Sequence, residues 1–319
     1  MSTHWTERPE GGGRFALWLI RSIGLRFGRP AARLILYPIT LYFFFRRGPE
    51  RRASRAFLSR VYGRPAGASD VLRHIHHFAA TVLDRVFLLA ESFQRFDVRV
   101  SGLDALDRHL AGRQGVLLLG SHLGSFEALR VLGLQRPELN VRVVLDRRQT
   151  PAMTDLLHAL NPCIARGVID ASGGGTEIVL ALKDAAQQGD LIALLADRAR
   201  PHEPTRPAAF LGAPAPFPVA PFLIAAALEV PVVLCFGLYR GGNRYDLIFE
   251  AFAERLVIPR REREARLAEC LARYAARLEH HTRSAPLNWF NFYDFWNPAA
   301  SRRIADADGA RFGDRRDLA

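Results

Sequence analysis

The alternation of short apolar segments with longer amphipathic segments after residue 95 constrains the fold of this chain more than any other feature of its sequence. The apolar segments predict buried strands at 96–100, 115–120, 141–146, 190–197 and 230–239. The segments between them have helical spacing, at 104–111, 125–134, 151–160, 175–189 and 218–229. Strands that alternate with helices form largely parallel sheets covered on both faces. We therefore predict an α/β fold with a mostly parallel mixed sheet flanked by helices.

Three further segments complete this prediction. Residues 244–252 follow the strand at 230–239 after a turn at 241–243 that contains two glycines, which predicts an antiparallel neighbour for that strand. Helical spacing also predicts long helices at 68–95 and at roughly 260–281. A chain of 319 residues can bury a substantial core without a metal or a disulfide.

Nearly all of the excess positive charge lies at the N-terminus. The whole chain has 44 Lys+Arg against 32 Asp+Glu, and residues 1–64 alone hold thirteen arginines against three glutamates. Four of these arginines interrupt the apolar segment 15–45, so its longest uncharged run is the twelve residues 34–45. Twelve helical residues reach about 18 Å, well short of the roughly 30 Å of hydrocarbon in a bilayer. Without help, this segment cannot span a membrane, and no cleavage site of a secretory signal follows it.

A segment of this kind suits the interface of a bilayer. Its aromatic residues would enter the acyl boundary while its arginines meet lipid phosphates, and these residues are Trp18, Tyr37, Tyr42 and 43–45. We therefore predict a hydrophobic, basic, helical membrane anchor; the alternative is a buried core helix with a basic rim. Because long aliphatic runs separate the arginines and no DNA- or RNA-binding motif accompanies them, we do not expect a nucleic-acid partner.

The chain is predicted to have three parts. Residues 1–64 form the basic membrane-associating segment, residues 65–300 form the α/β domain, and residues 301–319 form a flexible polar tail.

The three cysteines lie far apart without a CxxC pair, so we expect neither a disulfide framework nor a metal site. The aromatic cluster at 289–296 is either core packing or a second membrane-facing patch.

The motif GSHLGSFE (120–127) carries the strongest chemical signal. It lies where a predicted strand ends and a helix begins, and ligands of such sheets bind beyond the carboxyl ends of the strands. With His122 in the turn and Glu127 in the first turn of the helix, the carboxylate can fold back toward the imidazole. A neutral imidazole oriented by a carboxylate acts as a general base. Histidine occupies the position that a GxSxG nucleophile elbow gives to serine, so a covalent acyl-enzyme is disfavoured.

The H-x4-E spacing of His122 and Glu127 resembles that of glycerolipid-type acyltransferases, and the glutamate version resembles the lipid A acyltransferase branch. The resemblance extends over most of the chain. Residues 143–148 stand where that family has a strand ending in Tyr-Arg-Pro, and Asp197 matches the first acid of its Asp-Gln-Asp block, with Arg198 and Ala199 in place of the other two residues. Residues 210–212 match a Phe-containing loop. The cluster at 288–296 is similar to acyltransferases of aryl polyene and xanthomonadin pathways.

This resemblance implies an enzyme that transfers a fatty acyl or aryl-polyene acyl group from a thioester of acyl carrier protein or coenzyme A to a hydroxyl of a lipid or glycolipid. His122 would be the general base and Glu127 its orienting partner. The implied substrate-binding residues are Arg147, Asp197, Arg198, Phe210 and Gly212. No cofactor and no metal are implied, and the implied location is the cytoplasmic face of the bacterial inner membrane.

Two other functions fit the same residues. A thioesterase or hydrolase would use the His-Glu pair with water as the acceptor. A non-catalytic lipid-binding protein would need the fold and the anchor but not the pair.

Overall fold

The computed structural model describes residues 13–90, 93–110, 114–129, 139–148, 151–160, 167–173, 175–200 and 203–296. Within them, the strands are β1 (Asp97–Ser101), β2 (Val116–Gly120), β3 (Val141–Leu145), β4 (Ile169–Asp170), β5 (Leu191–Leu195), β6 (Thr205–Phe210), β7 (Ala213–Pro218), β8 (Val232–Tyr239) and β9 (Arg244–Ala253). The helices are α1 (Gly13–Arg46), α2 (Gly48–Tyr62), α3 (Ala68–Leu89), α4 (Asp104–Leu110), α5 (Pro151–Leu160), α6 (Gly175–Gln187), α7 (Ala220–Leu228) and α8 (Arg263–Ser284).

Seven of these strands form one sheet in the order β1-β9-β8-β2-β5-β3-β4. All neighbours are parallel except β8 and β9, which pair antiparallel. The predicted mostly parallel mixed sheet is thus confirmed, including the antiparallel strand after the turn at 241–243. The sequence analysis missed the short strand β4 and the antiparallel hairpin β6–β7.

The sheet separates two layers of core. Leu117 and Leu119 of β2 face a layer that contains residues of α2, α6, α7 and α8. Val116 and Leu118 point to the opposite face and meet residues of α1, α3 and α4. Successive side chains of a strand point to opposite faces, and both faces of β2 are buried, which explains why this strand is continuously apolar.

Helix α1 bends at Gly28, whose φ of 81° and ψ of 170° are not helical. Beyond the bend, Ala32, Leu36 and Thr40 are buried on one face of the helix, which packs on α3. The other face is exposed and apolar, and we call it the apolar stripe: Leu34, Tyr37, Leu41, Tyr42 and Phe45. The segment thus has the buried face of a core helix and an exposed face that a membrane could cover.

Within the described ranges, no helix is both long enough and apolar enough to cross a bilayer. The side chain of Trp18 and the tail 301–319 lie outside the described residues. Phe57 and Leu58 of α2 belong to the same buried cluster as residues of the sheet. The division of the chain at residue 64 stays a prediction.

Candidate active site

The motif residues lie at the carboxyl edge of the sheet, where β2 and β5 end side by side. The two strands are parallel neighbours, and Gly120 of β2 is in register with Leu195 of β5. His122 and Asp197 each lie two residues beyond these paired strand ends. Sheet pairing therefore brings together two residues that are far apart in the sequence.

Asp197 holds both the backbone and the side chain of His122. The backbone N–H of His122 donates to the two carboxylate oxygens of Asp197 at 3.0 and 3.1 Å. Nδ1 of His122 lies 2.8 Å from Oδ1 of Asp197. The Asp197 side chain is 0% exposed, whereas the His122 side chain is 30% exposed. The carboxylate is therefore sealed in the interior, and the imidazole reaches the surface.

The charges around this pair favour a neutral imidazole beside an ionised carboxylate. Burial lowers the pKa of His122, the positive charges of Arg198 and Arg85 lower it further, and Asp197 only partly opposes them. Burial opposes ionisation of Asp197. Its attraction to His122 when that imidazole is protonated, the hydrogen bonds from His122 and the charge of Arg198 outweigh burial and lower the pKa of this carboxyl. At neutral pH, His122 is therefore ready to accept a proton.

The loop after His122 is fixed by close packing on β8. Gly124 has a φ of +81°, and a Cβ at this position would overlap the carbonyl of Gly237. The backbone N–H of Ser125 donates to the same carbonyl at 2.7 Å. Only glycine allows both the backbone conformation and this close approach. The predicted helix at 125–134 is a short 3₁₀-helix over Phe126–Leu129 in the described residues, and 130–134 lie outside them.

Glu127 does not occupy the position that the sequence analysis gave it. Its Oε1 lies 2.6 Å from Nε of Arg85 on α3, and its Oε2 accepts a hydrogen bond from Oγ of Ser125 at 3.0 Å. The carboxylate on Nδ1 of His122 is that of Asp197 instead. The reason is that the 3₁₀-helix directs Glu127 toward α3, while β5 supplies a carboxylate already in register with the imidazole.

The C-terminal aromatic cluster lies against this loop and is core packing. Trp289 is fully buried, and Phe290 and Phe295 are also buried. The backbone of the cluster bonds to the loop on both sides of Leu123: Gly124 N–H donates to the carbonyl of Asn288 at 2.8 Å, and Phe290 N–H donates to the carbonyl of His122 at 3.0 Å. The core alternative is thus confirmed for these residues.

Two arginines predicted to bind substrate lie at the same edge of the sheet. Arg198 donates through Nε to Oδ1 of Asn291 and through Nη2 to the carbonyl of Phe290 at 2.7 Å, so this guanidinium holds the aromatic cluster at 289–296. Arg147 follows β3, and its backbone N–H donates to Oδ1 of Asp170 at 3.4 Å. Substrate contact by either residue stays a prediction.

The predicted substrate loop is part of the hairpin β6–β7. The ring of Phe210 is fully buried among aromatic residues that include Trp289 and Phe217, so it packs in the core and does not face a substrate in this conformation. Gly212 lies at the hairpin turn with a φ of +79°, beside a shallow depression lined by Pro207, Ala208, Ala209, Ala213 and Pro214. Its contact with substrate stays a prediction.

Within the described ranges, no group of three or more His, Cys, Asp and Glu side chains is arranged to hold a metal. What the site offers is acid-base chemistry on one histidine, with a buried carboxylate behind it and cationic side chains beside it.

Comparison with known proteins identifies the family. The family model described as bacterial lipid A biosynthesis acyltransferase matches residues 25–297. The chain belongs to this lipid A biosynthesis acyltransferase family. A search of curated proteins found no match. Membership in the family supports acyl transfer to a lipid acceptor.

In this family member, the sequence analysis missed three residues that the structure places at the site. Arg85 lies on α3, Ser125 is bound to Glu127, and Trp289 donates a hydrogen bond from Nε1 to Oδ2 of Asp197 at 3.2 Å. Signals existed for Ser125, which lies inside the motif 120–127, and for Trp289, which begins the aromatic cluster that the sequence analysis singled out. Arg85 is one basic residue of a long amphipathic helix, and nothing in its spacing marks it.

Proposed function

We propose that this acyltransferase moves an acyl group from a thioester of acyl carrier protein or coenzyme A to a hydroxyl of a lipid or glycolipid at the cytoplasmic face of the bacterial inner membrane. His122 is the general base, and Asp197 is the carboxylate that orients it. The observation that carries this proposal is the 2.8 Å contact between Nδ1 of His122 and the buried Asp197 carboxylate, made by an imidazole that is itself partly exposed.

The contact determines which nitrogen can act as the base. The Asp197 carboxylate accepts a hydrogen bond from Nδ1–H, so the neutral imidazole carries its proton on Nδ1 and its lone pair on Nε2. Nε2 accepts the proton of the acceptor hydroxyl as the oxygen attacks the thioester carbonyl carbon. The new C–O bond gives a tetrahedral oxyanion; when it collapses, the C–S bond breaks and the leaving sulfur takes the proton back from Nε2. Atoms and charge balance without a covalent enzyme intermediate.

A cation near the imidazole supports this step. Arg85 is 29% exposed, and its charge is close enough to lower the pKa of His122. Glu127 is 13% exposed and forms an ion pair with this guanidinium. We assign to Arg85 the stabilisation of the negative charge that develops on the thioester oxygen, and to Glu127 the orientation of Arg85.

The apolar stripe supports attachment to a membrane surface. Five large apolar side chains of α1 lie exposed along one face, and the opposite face is held in the core. The segment 1–64 carries most of the excess positive charge, which favours anionic lipid headgroups and an acidic carrier protein. A helix lying in the interface would deliver a lipid hydroxyl to the site without a membrane-spanning segment.

The test is a transfer assay with the full chain in vesicles. Radiolabelled acyl thioesters of acyl carrier protein and of coenzyme A are incubated with a bacterial lipid extract, and lipid products are separated from free fatty acid. We expect labelled lipid from wild type and a loss of roughly 10²- to 10⁴-fold for His122→Gln with its fold intact. Free acid that no acceptor suppresses would identify a thioesterase. Unchanged labelling of lipid in a strain carrying His122→Gln would contradict catalysis by this site.

A further inference from the structure

The indole of Trp289 contacts the same carboxylate that holds His122. Its Nε1–H donates to Oδ2 of Asp197 at 3.2 Å, while Oδ1 accepts from Nδ1 of His122 at 2.8 Å. Trp289 and Asp197 are both 0% exposed. Without water in reach, a buried carboxylate depends on protein donors for its hydrogen bonds, and each missing donor is costly.

Several contacts fix the position of this indole. The backbone carbonyl of Trp289 accepts from Nε2 of His74 at 3.0 Å, and Nδ1 of His74 lies 2.8 Å from Oγ of Ser54 on α2. Burial lowers the pKa of His74 to about 3, so this histidine is neutral and donates only from Nε2. The Trp289 ring packs against Phe57 at 4.9 Å and Phe295 at 4.8 Å between centroids. The backbone and the ring of Trp289 are therefore both fixed, so the indole N–H points at Oδ2 of Asp197.

We propose that Trp289 is a positioning residue, which fixes the orientation and the basicity of the Asp197 carboxylate and, through it, of His122. This inference rests on the proposed function for its catalytic meaning, but the contact itself can be tested without turnover. Trp289 then acts on the active site in addition to packing in the core.

The direction of the effect follows from charge. An N–H on Oδ2 withdraws negative charge from the carboxylate and so limits how strongly it stabilises a protonated imidazole. Removing that N–H makes Asp197 more basic and raises the pKa of His122. It also leaves Oδ2 with a single donor, the backbone N–H of His122 at 3.1 Å, which loosens the carboxylate that orients the imidazole.

Trp289→Phe keeps an aromatic ring and removes the N–H. Trp296→Phe is the matched control, because it makes the same change in the same aromatic cluster, where Nε1 of Trp296 donates to the carbonyl of Phe210 at 3.1 Å and not to Asp197. The proteins are produced with ¹³C-labelled histidine in detergent micelles. The NMR signal that is missing in His122→Gln belongs to His122, and its titration is followed in each variant. Lipid acylation is measured in parallel as kcat and KM.

For Trp289→Phe we expect the His122 titration to move to higher pH by roughly half a unit to one unit and kcat to fall roughly 10-fold with little change in KM. Trp296→Phe should change neither. A His122 titration that coincides with wild type in folded Trp289→Phe overturns the proposal. If Trp289→Phe does not fold, benzothienylalanine at position 289 replaces only the N–H by sulfur and gives the same comparison.

The two claims fail separately. If the wild-type chain transfers no acyl group, the proposed function is wrong, yet the titration still decides whether Trp289 acts on His122 through Asp197. If transfer occurs but Trp289→Phe changes neither the His122 titration nor kcat, only the positioning role is wrong.

Discussion

Asp197 accepts a hydrogen bond from Nδ1 of His122 at 2.8 Å although 75 residues separate them in the chain. The contact exists because β2 and β5 are parallel neighbours whose ends are in register at Gly120 and Leu195. A carboxylate close in sequence, Glu127, is bound to Arg85 instead. The acid-base pair of this enzyme is thus assembled by the sheet and not by one continuous motif.

The pH dependence of transfer should show an acidic limb governed by His122. Burial and the charges of Arg198 and Arg85 lower the pKa of His122 below its ordinary value of 6.5. In the proposed mechanism the neutral imidazole is the active form. We therefore expect kcat/KM to be constant near pH 7 and to fall only as the pH drops below 6.5. This pH dependence is measured from initial rates between pH 4.5 and 8, with a control at each pH that the protein remains folded. A limb centred above pH 7 would contradict the charge arrangement.

Arg85 and Glu127 should act as one unit. We expect Arg85→Met and Glu127→Gln each to lower kcat roughly 10-fold, and the double variant to be little worse than either, since Glu127 works through Arg85. Arg85→Met should also raise the pKa of His122, because a positive charge that lowers it is removed. A double-mutant cycle on initial rates and a titration of His122 provide the data. Additive losses of the two variants would speak against the coupling.

The buried ion pair between Arg29 and Asp84 should anchor α1. Nε and Nη2 of Arg29 lie 2.7 and 2.8 Å from the two oxygens of Asp84, and the hydroxyl of Tyr245 donates to Oδ2 at 2.9 Å. Asp84→Asn leaves the Arg29 charge without its partner in a site that is mostly buried, so we expect a loss of about 3–5 kcal/mol in the free energy of unfolding. Glu254 is exposed and lies within ion-pair distance of Arg108 and His109, and Glu254→Gln is the control.

Denaturant unfolding in detergent, followed by tryptophan fluorescence, compares these two variants. We expect a large loss of stability for Asp84→Asn and little change for Glu254→Gln. Equal stabilities of the two variants would show that the pair does not hold α1 on the domain.

The apolar stripe should mediate membrane attachment. Replacing Leu34, Leu41 and Phe45 by glutamine removes apolar area that is exposed in the free protein, so the fold should persist while vesicle binding weakens at least 10-fold. Leu180→Gln with Val257→Gln is the control, because these apolar side chains are also exposed but lie outside α1. Flotation with vesicles containing anionic lipid measures binding. Unaltered flotation of the stripe variant would refute attachment through this face.

Much of the fold was predictable because local patterns determine it. Continuous apolar runs bounded by glycine and charged residues marked β2, β5 and β8, and the turn at 241–243 marked the antiparallel pairing of β8 with β9. The hairpin β6–β7 was missed because proline and alanine occupy much of it, and these residues do not favour strands.

The site was only partly predictable, since strand order is a property of the tertiary fold. His122 was identified from the strand end that it follows, but the neighbour of β2 in the sheet cannot be read from the motif. Asp197 was therefore assigned to substrate, and the nearest carboxylate in sequence, Glu127, was assigned to the imidazole. Arg85 and Trp289 reach the site from a helix and from the C-terminal segment, and only packing brings them there.

The comparison of Asp197→Asn with Glu127→Gln tests this account most directly. Both changes replace a carboxylate by an amide of the same shape, and initial rates of acyl transfer to lipid are measured on folded proteins at pH 7.5. Our account predicts a loss of roughly 10²- to 10⁴-fold for Asp197→Asn and a loss of only about 10-fold for Glu127→Gln. The reverse order, with Glu127→Gln nearly inactive and Asp197→Asn close to wild type, would contradict it.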